Sequence, residues 1–180
     1  LADYTPIFLS QVPELFYRRL VPLDVALIQT SLPDAHGYVS LGISVDITKA
    51  AVETAELVIA QINADLPRIH GDGFLHLEDV DFVLPHDEPI LELSRRAVDV
   101  VVIEQIGRYV STLIQDGDTI QVGYGSVPNA VLSELDDKKN LGVHTELLSD
   151  GIVSLMKKGV VNNSRKTLNR GRTVASFAMG

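Results

Sequence analysis

Twice along this chain a short apolar run rich in β-branched residues leads into a helical segment and then into a second such run. That order points to parallel strands joined by crossover helices. In the first instance residues 24–29 read as a buried strand, being short, apolar and ended by polar residues. A helix follows that Asp46 can cap, with Thr48 contributing, and that extends to Ala55. Residues 57–62 then form the second strand. In the other instance residues 119–122 are a strand feeding a turn at Gly123, 127–135 a helix, 142–145 a strand, and 149–158 a helix closed by Gly159. The expected fold class is α/β: two open, mostly parallel sheets flanked by helices, both incomplete in this chain.

Around these units the pattern is less regular. Residues 8–19 read as a short amphipathic helix with Pro13 near its start. Residues 98–115 read as a longer helix with Val101, Val102, Ile106, Tyr109, Val110 and Leu113 on one broad face, closed by a turn at Asp116, Gly117 and Asp118. Between them, Pro67, Gly71, Gly73, Pro85 and Pro89 interrupt any period, and a short strand is expected at 81–84 among acidic residues. This stretch is the best candidate for an interdomain connection and suggests a division into residues 1–89 and 90–180.

Composition narrows the function classes. The 180 residues suffice for one ordinary domain or two incomplete ones, and 46% hydrophobic with 22% charged residues is a globular balance. A formal net charge of −9 argues against nucleic-acid binding, which needs a basic stripe to neutralise phosphates. Lys157, Lys158, Arg165, Lys166, Arg170 and Arg172 do crowd together. They read first as a solvated surface segment and second as an electrostatic handle for a phosphorylated ligand. The absence of cysteine excludes disulfides, thiolate zinc sites and cysteine nucleophiles, and fits a cytoplasmic setting. No apolar run reaches the roughly 18 residues of a membrane span, and no signal-peptide pattern occurs, so no membrane partner is expected. His70, His76 and His86 lack metal-ligand spacing, and no metal is expected. The first residue is Leu1, and strand-like residues 173–178 lie directly before the last, which suggests a piece of a longer protein.

Two strand-to-helix turns carry the chemistry. Glu146 ends one apolar run just before a helix start at Ser149 or Asp150, and the carboxyl ends of strands are where open α/β sheets present reactive groups. The other turn comprises Gly123, Tyr124, Gly125, Ser126, Val127 and Pro128. Together they would form one crevice, with a carboxylate in one wall and backbone amides in the other. Gly123-Tyr124-Gly125 lacks the third glycine of a dinucleotide fingerprint and the Lys-Ser or Lys-Thr of a Walker loop. It reads either as a tight turn needing positive φ, or as bare backbone that a ligand approaches. In the second reading Ser126 caps the next helix, Pro128 stiffens its first turn, and free N–H groups face an anion or a developing oxyanion. Glu146 alone reads as an ordinary surface carboxylate or helix-start charge; its strand-end position beside the second turn is what raises it. His144, two residues before it, falls on the same strand face and either tunes the carboxylate or supports packing.

The residues 123–130 and 142–151, read together, resemble the acetyl-CoA hydrolase/transferase family, within it the 4-hydroxybutyrate CoA-transferases and their butyrate- and acetate-using relatives. Residues 31–42, 58–63 with Pro67 and Arg68, 166–168 and 175–180 extend the resemblance along almost the whole chain. It implies a longer enzyme with two related α/β domains and the active site between them, this chain covering the end of the first and the start of the second. It also implies that Glu146, in the His-Thr-Glu segment, is the catalytic residue of a ping-pong CoA transfer through a glutamyl-CoA thioester. Amides of the Gly123 turn would bind the oxyanion or the thioester side. The implied substrates are acyl-CoA and a short carboxylic acid (acetate, butyrate or 4-hydroxybutyrate). No permanently bound cofactor is implied, and the full-length protein is expected to be a homo-oligomer. Acyl-CoA hydrolysis and a non-catalytic CoA-binding module are the alternatives. His36, Gly37 and Tyr38 would face the crevice, or simply form a turn. Gln61, Asn63 and Arg68 follow a strand end, where Arg68 would bind a substrate carboxylate or form a structural ion pair.

Overall fold

The computed structural model describes residues 3–93 and 100–180. Two compact units divide between Leu91 and Glu92.

In the first unit, β1 (Val25–Thr30), β3 (Leu57–Ile62) and β5 (Phe82–Pro85) form a parallel sheet in the order β1-β3-β5. Helix α2 (Thr48–Thr54) lies in the crossover from β1 to β3, which pair Val25 with Leu57 through Thr30 with Ile62. The strand expected to be buried is in fact half-buried. Ala26, Ile28 and Thr30 point into a core with Val39, Leu41, Val52, Val58, Ala60, Leu75 and Val80. On the opposite face Leu27 is 76% exposed, and it is aligned through Ile59 with Phe82, which is 60% exposed. Alternation, not continuous burial, governs this strand. The irregular stretch after β3 holds more structure than its prolines suggest. There β4 (Phe74–His76) pairs antiparallel with β2 (Tyr38–Ser40), a single helical turn follows at Leu77–Asp79, and β5 joins the sheet.

Two helix starts differ from expectation. Asp46 does not cap α2: its carboxylate is taken by the Ser44 hydroxyl and the Ile47 amide, and Ile47 is the flanking residue. Residues 8–19 divide into a 3-10 turn (Leu9–Gln11) and α1 (Val12–Tyr17), none of it buried; the Tyr17 hydroxyl donates to Glu53 (2.6 Å).

The second unit contains α3 (Val100–Ser111), β6 (Thr119–Ile120), α4 (Ser126–Ser133), β7 (Gly142–Val143), β8 (Leu147–Ser149), α5 (Asp150–Lys157) and β9 (Phe177–Met179). Strands β6 and β7 pair in parallel, as do β8 and β9. The residues expected to open the α3 helix, Val98 and Asp99, lie outside the described residues. The broad apolar face expected for α3 is not its packing face: Val101, Val102, Tyr109 and Leu113 are exposed, whereas Gly107 and Ser111 are buried where α3 meets α4. Small residues at that crossing bring the helices close, and the long side chains are left outside. The core of this unit is Val122, Leu132, Leu135, Leu141, Val143, Ile152, Leu155, Val160 and Val161. Among the described residues no helix is long and apolar enough to cross a membrane.

Candidate functional site

Strands β6 and β7 pair Thr119 with Gly142 and Ile120 with Val143, an offset that hydrogen bonds between Val122 and Thr145 continue. The ladder runs on as far as the His144 amide, which donates to the Ile120 carbonyl (3.1 Å). One step further a side chain replaces it. The Val122 amide donates to Thr145 Oγ1 (3.1 Å), and the same hydroxyl donates to the Val122 carbonyl (2.8 Å). Both strands are therefore two residues shorter than their apolar runs, yet their ends remain joined. Val143, Thr145 and Leu147 are buried, while His144 and Glu146 are exposed on the other face. The two share a face, as the strand period requires.

Glu146 does not run directly into a helix. Strand β8 intervenes, paired with β9, and the Glu146 carbonyl accepts from the amides of Ser176 (2.9 Å) and Phe177 (3.1 Å). Its main chain is thus fixed, while its carboxylate makes no hydrogen bond or ion pair among the described residues.

The turn at Gly123 is open. A Cβ on Gly123 would meet nothing within 4 Å, and Tyr124 is exposed. Positive φ is needed at Gly125 (φ 142°) but not at Gly123. Gly125, not Ser126, is the flanking residue of α4, and no side chain caps the helix; Ser126 is its first residue. None of the amides from Gly123 to Val127 donates to another described residue, and Pro128 has none to donate. Unbonded amides at a helix start attract negative charge. The turn offers donors; Glu146 offers an exposed carboxylate.

Residues that the sequence left in the background hold this strand from beneath. The Asn163 side chain accepts from the Val143 amide (2.9 Å) and donates to Thr173 Oγ1 (2.9 Å). Lys166 was read with the solvated basic run, but it is only 4% exposed. Its Nζ donates to the carbonyls of Val143 (2.8 Å) and Arg172 (2.7 Å), and burial lowers its pKa below the usual lysine value. Glycine at 142 makes room for this lysine: a Cβ there would lie 2.6 Å from Lys166 Cγ. Of the other cations in the run, Lys158 pairs with Asp136 (2.6 Å) and Arg170 Nε donates to the Ser164 carbonyl (2.6 Å).

In the first unit Tyr38 opens β2 and Gln61 lies inside β3 rather than after it, while His36, Gly37, Asn63 and Arg68 are in loops. Asp34 accepts from the amides of His36 and Tyr38 (2.9 Å each), and Arg68 reaches both Asp34 (2.7 Å) and the Tyr38 carbonyl (2.9 Å) while covering the Phe74 ring. The Tyr38 amide, chiefly, and then the His36 amide and Arg68 hold the Asp34 carboxyl below its ordinary pKa, against partial desolvation. Gly37 packs against the His76 imidazole, whose Nε2 bonds the His36 carbonyl (2.9 Å). Buried Asn63 donates to the Glu88 carbonyl (2.7 Å) and accepts from the Glu88 amide (3.2 Å); Gln61 donates to the His86 carbonyl (3.0 Å). Among the described residues no cluster of three or more His, Asp or Glu side chains could hold a metal ion.

The N-terminal domain model of the acetyl-CoA hydrolase/transferase family matches residues 1–93. The 4-hydroxybutyrate coenzyme A transferase of Clostridium kluyveri is 49% identical over 179 residues, which are 99% of this chain and 42% of that protein. The succinyl-CoA:acetate/propanoyl-CoA:succinate CoA transferase of Fasciola hepatica is 46% identical over 180 residues, 99% of this chain and 37% of that one. Among solved structures, a 4-hydroxybutyrate CoA-transferase from Porphyromonas gingivalis superposes with a TM-score of 0.92 at 40% identity, covering 98% of this chain and 45% of that one. RipA from Yersinia pestis superposes with a TM-score of 0.90 at 36% identity, covering 98% and 41%. The chain thus spans less than half the length of these relatives.

Proposed function

Because this chain belongs to the acetyl-CoA hydrolase/transferase family, we propose that the complete protein moves CoA between an acyl-CoA and a short carboxylic acid, with Glu146 as the nucleophile. The observation that carries this reading is the Thr145–Val122 clamp, which joins the residue before the unpartnered Glu146 to the residue before a turn of undonated amides. The names of the relatives, which transfer CoA to or from 4-hydroxybutyrate, succinate or acetate, support the substrate class.

In this reading a Glu146 oxygen attacks the thioester carbonyl, the C–S bond breaks, and CoA leaves as thiolate from a glutamyl–acyl anhydride. The thiolate then attacks the glutamyl carbonyl of that anhydride, releasing the first acid as carboxylate and forming a glutamyl-CoA thioester. An acceptor carboxylate repeats the two steps in reverse, which restores Glu146. A carboxylate suits the role because it is ionised near neutral pH and each exchange conserves an activated acyl bond. Tetrahedral oxyanions arise at every step, and amides of the Gly123–Val127 turn are the donors within this chain for them. Residues 1–89 would then close one domain of the enzyme and residues 90–180 open the next.

The test is intact mass spectrometry of the full-length protein after acyl-CoA treatment. A CoA-mass adduct mapping to Glu146 is expected, and borohydride should reduce it with loss of activity. Full activity after borohydride would sink the covalent step, and CoA release without any acceptor acid would mark a hydrolase instead.

A further inference from the structure

The second unit buries one cation without a carboxylate. Lys166 is sealed from solvent, its ammonium bonds two main-chain carbonyls, and it forms no ion pair among the described residues. Burying a charge is expensive, and an apolar side chain of similar volume would commonly serve stability as well or better. The location suggests why the charge is kept. Val143, whose carbonyl receives Lys166, lies three residues before Glu146. That carbonyl also accepts from the Val174 amide (3.2 Å), and the Thr145 amide donates to the Val174 carbonyl (2.9 Å). Lys166 therefore ties the strand bearing Glu146 to the segment 172–177, whose amides at Ser176 and Phe177 hold the Glu146 carbonyl. On the opposite edge Thr145 ties the same segment to Val122, two residues beyond β6.

We propose that Lys166 is a positioning residue of the CoA-transfer site, fixing the main chain of Val143 against Arg172 so that Glu146, three residues on, is held in place for attack. This rests on the reading of Glu146 as nucleophile. Lys166 touches no substrate. Its ammonium supplies two charge-assisted hydrogen bonds that define where the strand ends, and small displacements of a nucleophile reduce turnover steeply.

The experiment compares full-length wild type with K166M, K166Q and E146Q, reading kcat, KM for acyl-CoA, the CoA adduct and thermal unfolding. K166M should fold with a melting temperature near that of wild type, yet lose roughly 10- to 100-fold in kcat with KM little changed. K166Q, whose amide can still donate to both carbonyls, should recover much of the loss. A folded K166M with wild-type kcat overturns the proposal, as does an equal loss in K166M and K166Q. If both variants fail to fold, Lys166 is a folding residue and the proposal falls. Absence of the adduct in wild type, or undiminished turnover by E146Q, overturns the Glu146 reading itself and takes this proposal with it.

Discussion

The Thr145 hydroxyl occupies the place of a main-chain rung, accepting from the Val122 amide and donating to the Val122 carbonyl. A serine can make the same pair of bonds, and a valine of the same shape can make neither. Thr145→Val leaves two buried main-chain groups without partners, so it should cost about 1–3 kcal/mol of stability and lower turnover. Thr145→Ser should retain most of both. Denaturant unfolding alongside kcat decides this, and a Thr145→Val protein of undiminished stability would show the clamp to be dispensable.

Glu146 presents the opposite case, an exposed carboxylate with no partner among the described residues. Glu146→Gln should change stability by no more than about 0.5 kcal/mol while reducing CoA transfer by at least about a thousandfold. Loss of stability in step with activity would assign Glu146 a structural role.

Gly125 has space but not conformational freedom for a side chain. An added Cβ would meet only Pro128 Cδ at 3.7 Å, an ordinary contact, yet φ of 142° suits glycine alone. Gly125→Ala should therefore cost about 1–3 kcal/mol through the backbone and weaken acyl-CoA binding by reshaping the turn. Gly123→Ala, with open space and no positive φ, should be tolerated for folding. A calorimetric comparison of the two variants tests the contrast.

Asp34 gives a pH dependence of definite sign. Its folded-state pKa is lowered, so its contribution to stability is complete above the unfolded value of about 3.9 and disappears as pH falls through the lower folded value. The stability advantage of wild type over Asp34→Asn should therefore be constant near neutral pH and shrink only in acid below about pH 4. Urea midpoints measured across that range would show it; an advantage that shrank between pH 5 and 7 would contradict the assignment.

Legibility in the sequence followed the range of the interactions. The run 57–62 is a strand in both sequence and structure because its apolar, β-branched composition and its bounds are local. The α5 start near Ser149 and its close at Gly159 are likewise local signals. By contrast, β2 and β4 are three residues each and exist through a pairing more than thirty residues apart, which no short window registers. Thr145, Asn163 and Lys166 act on main-chain groups about twenty residues away. Lys166 sits in a basic run whose sequence carries no sign of its burial, which arises from the Val143 and Arg172 carbonyls it meets in the fold. For α3 the period was visible but its packing side was not, since burial of Gly107 depends on α4.

One feature of the first unit bears on handling. Leu27, Ile59 and Phe82 stand in line across the outer side of its sheet, with Leu84 exposed beside them. Sulfate and other kosmotropes strengthen the tendency of such carbon-rich area to leave water. Purification of this polypeptide by itself should accordingly meet an early salting-out limit, and replacing Leu27 with a threonine would raise that limit.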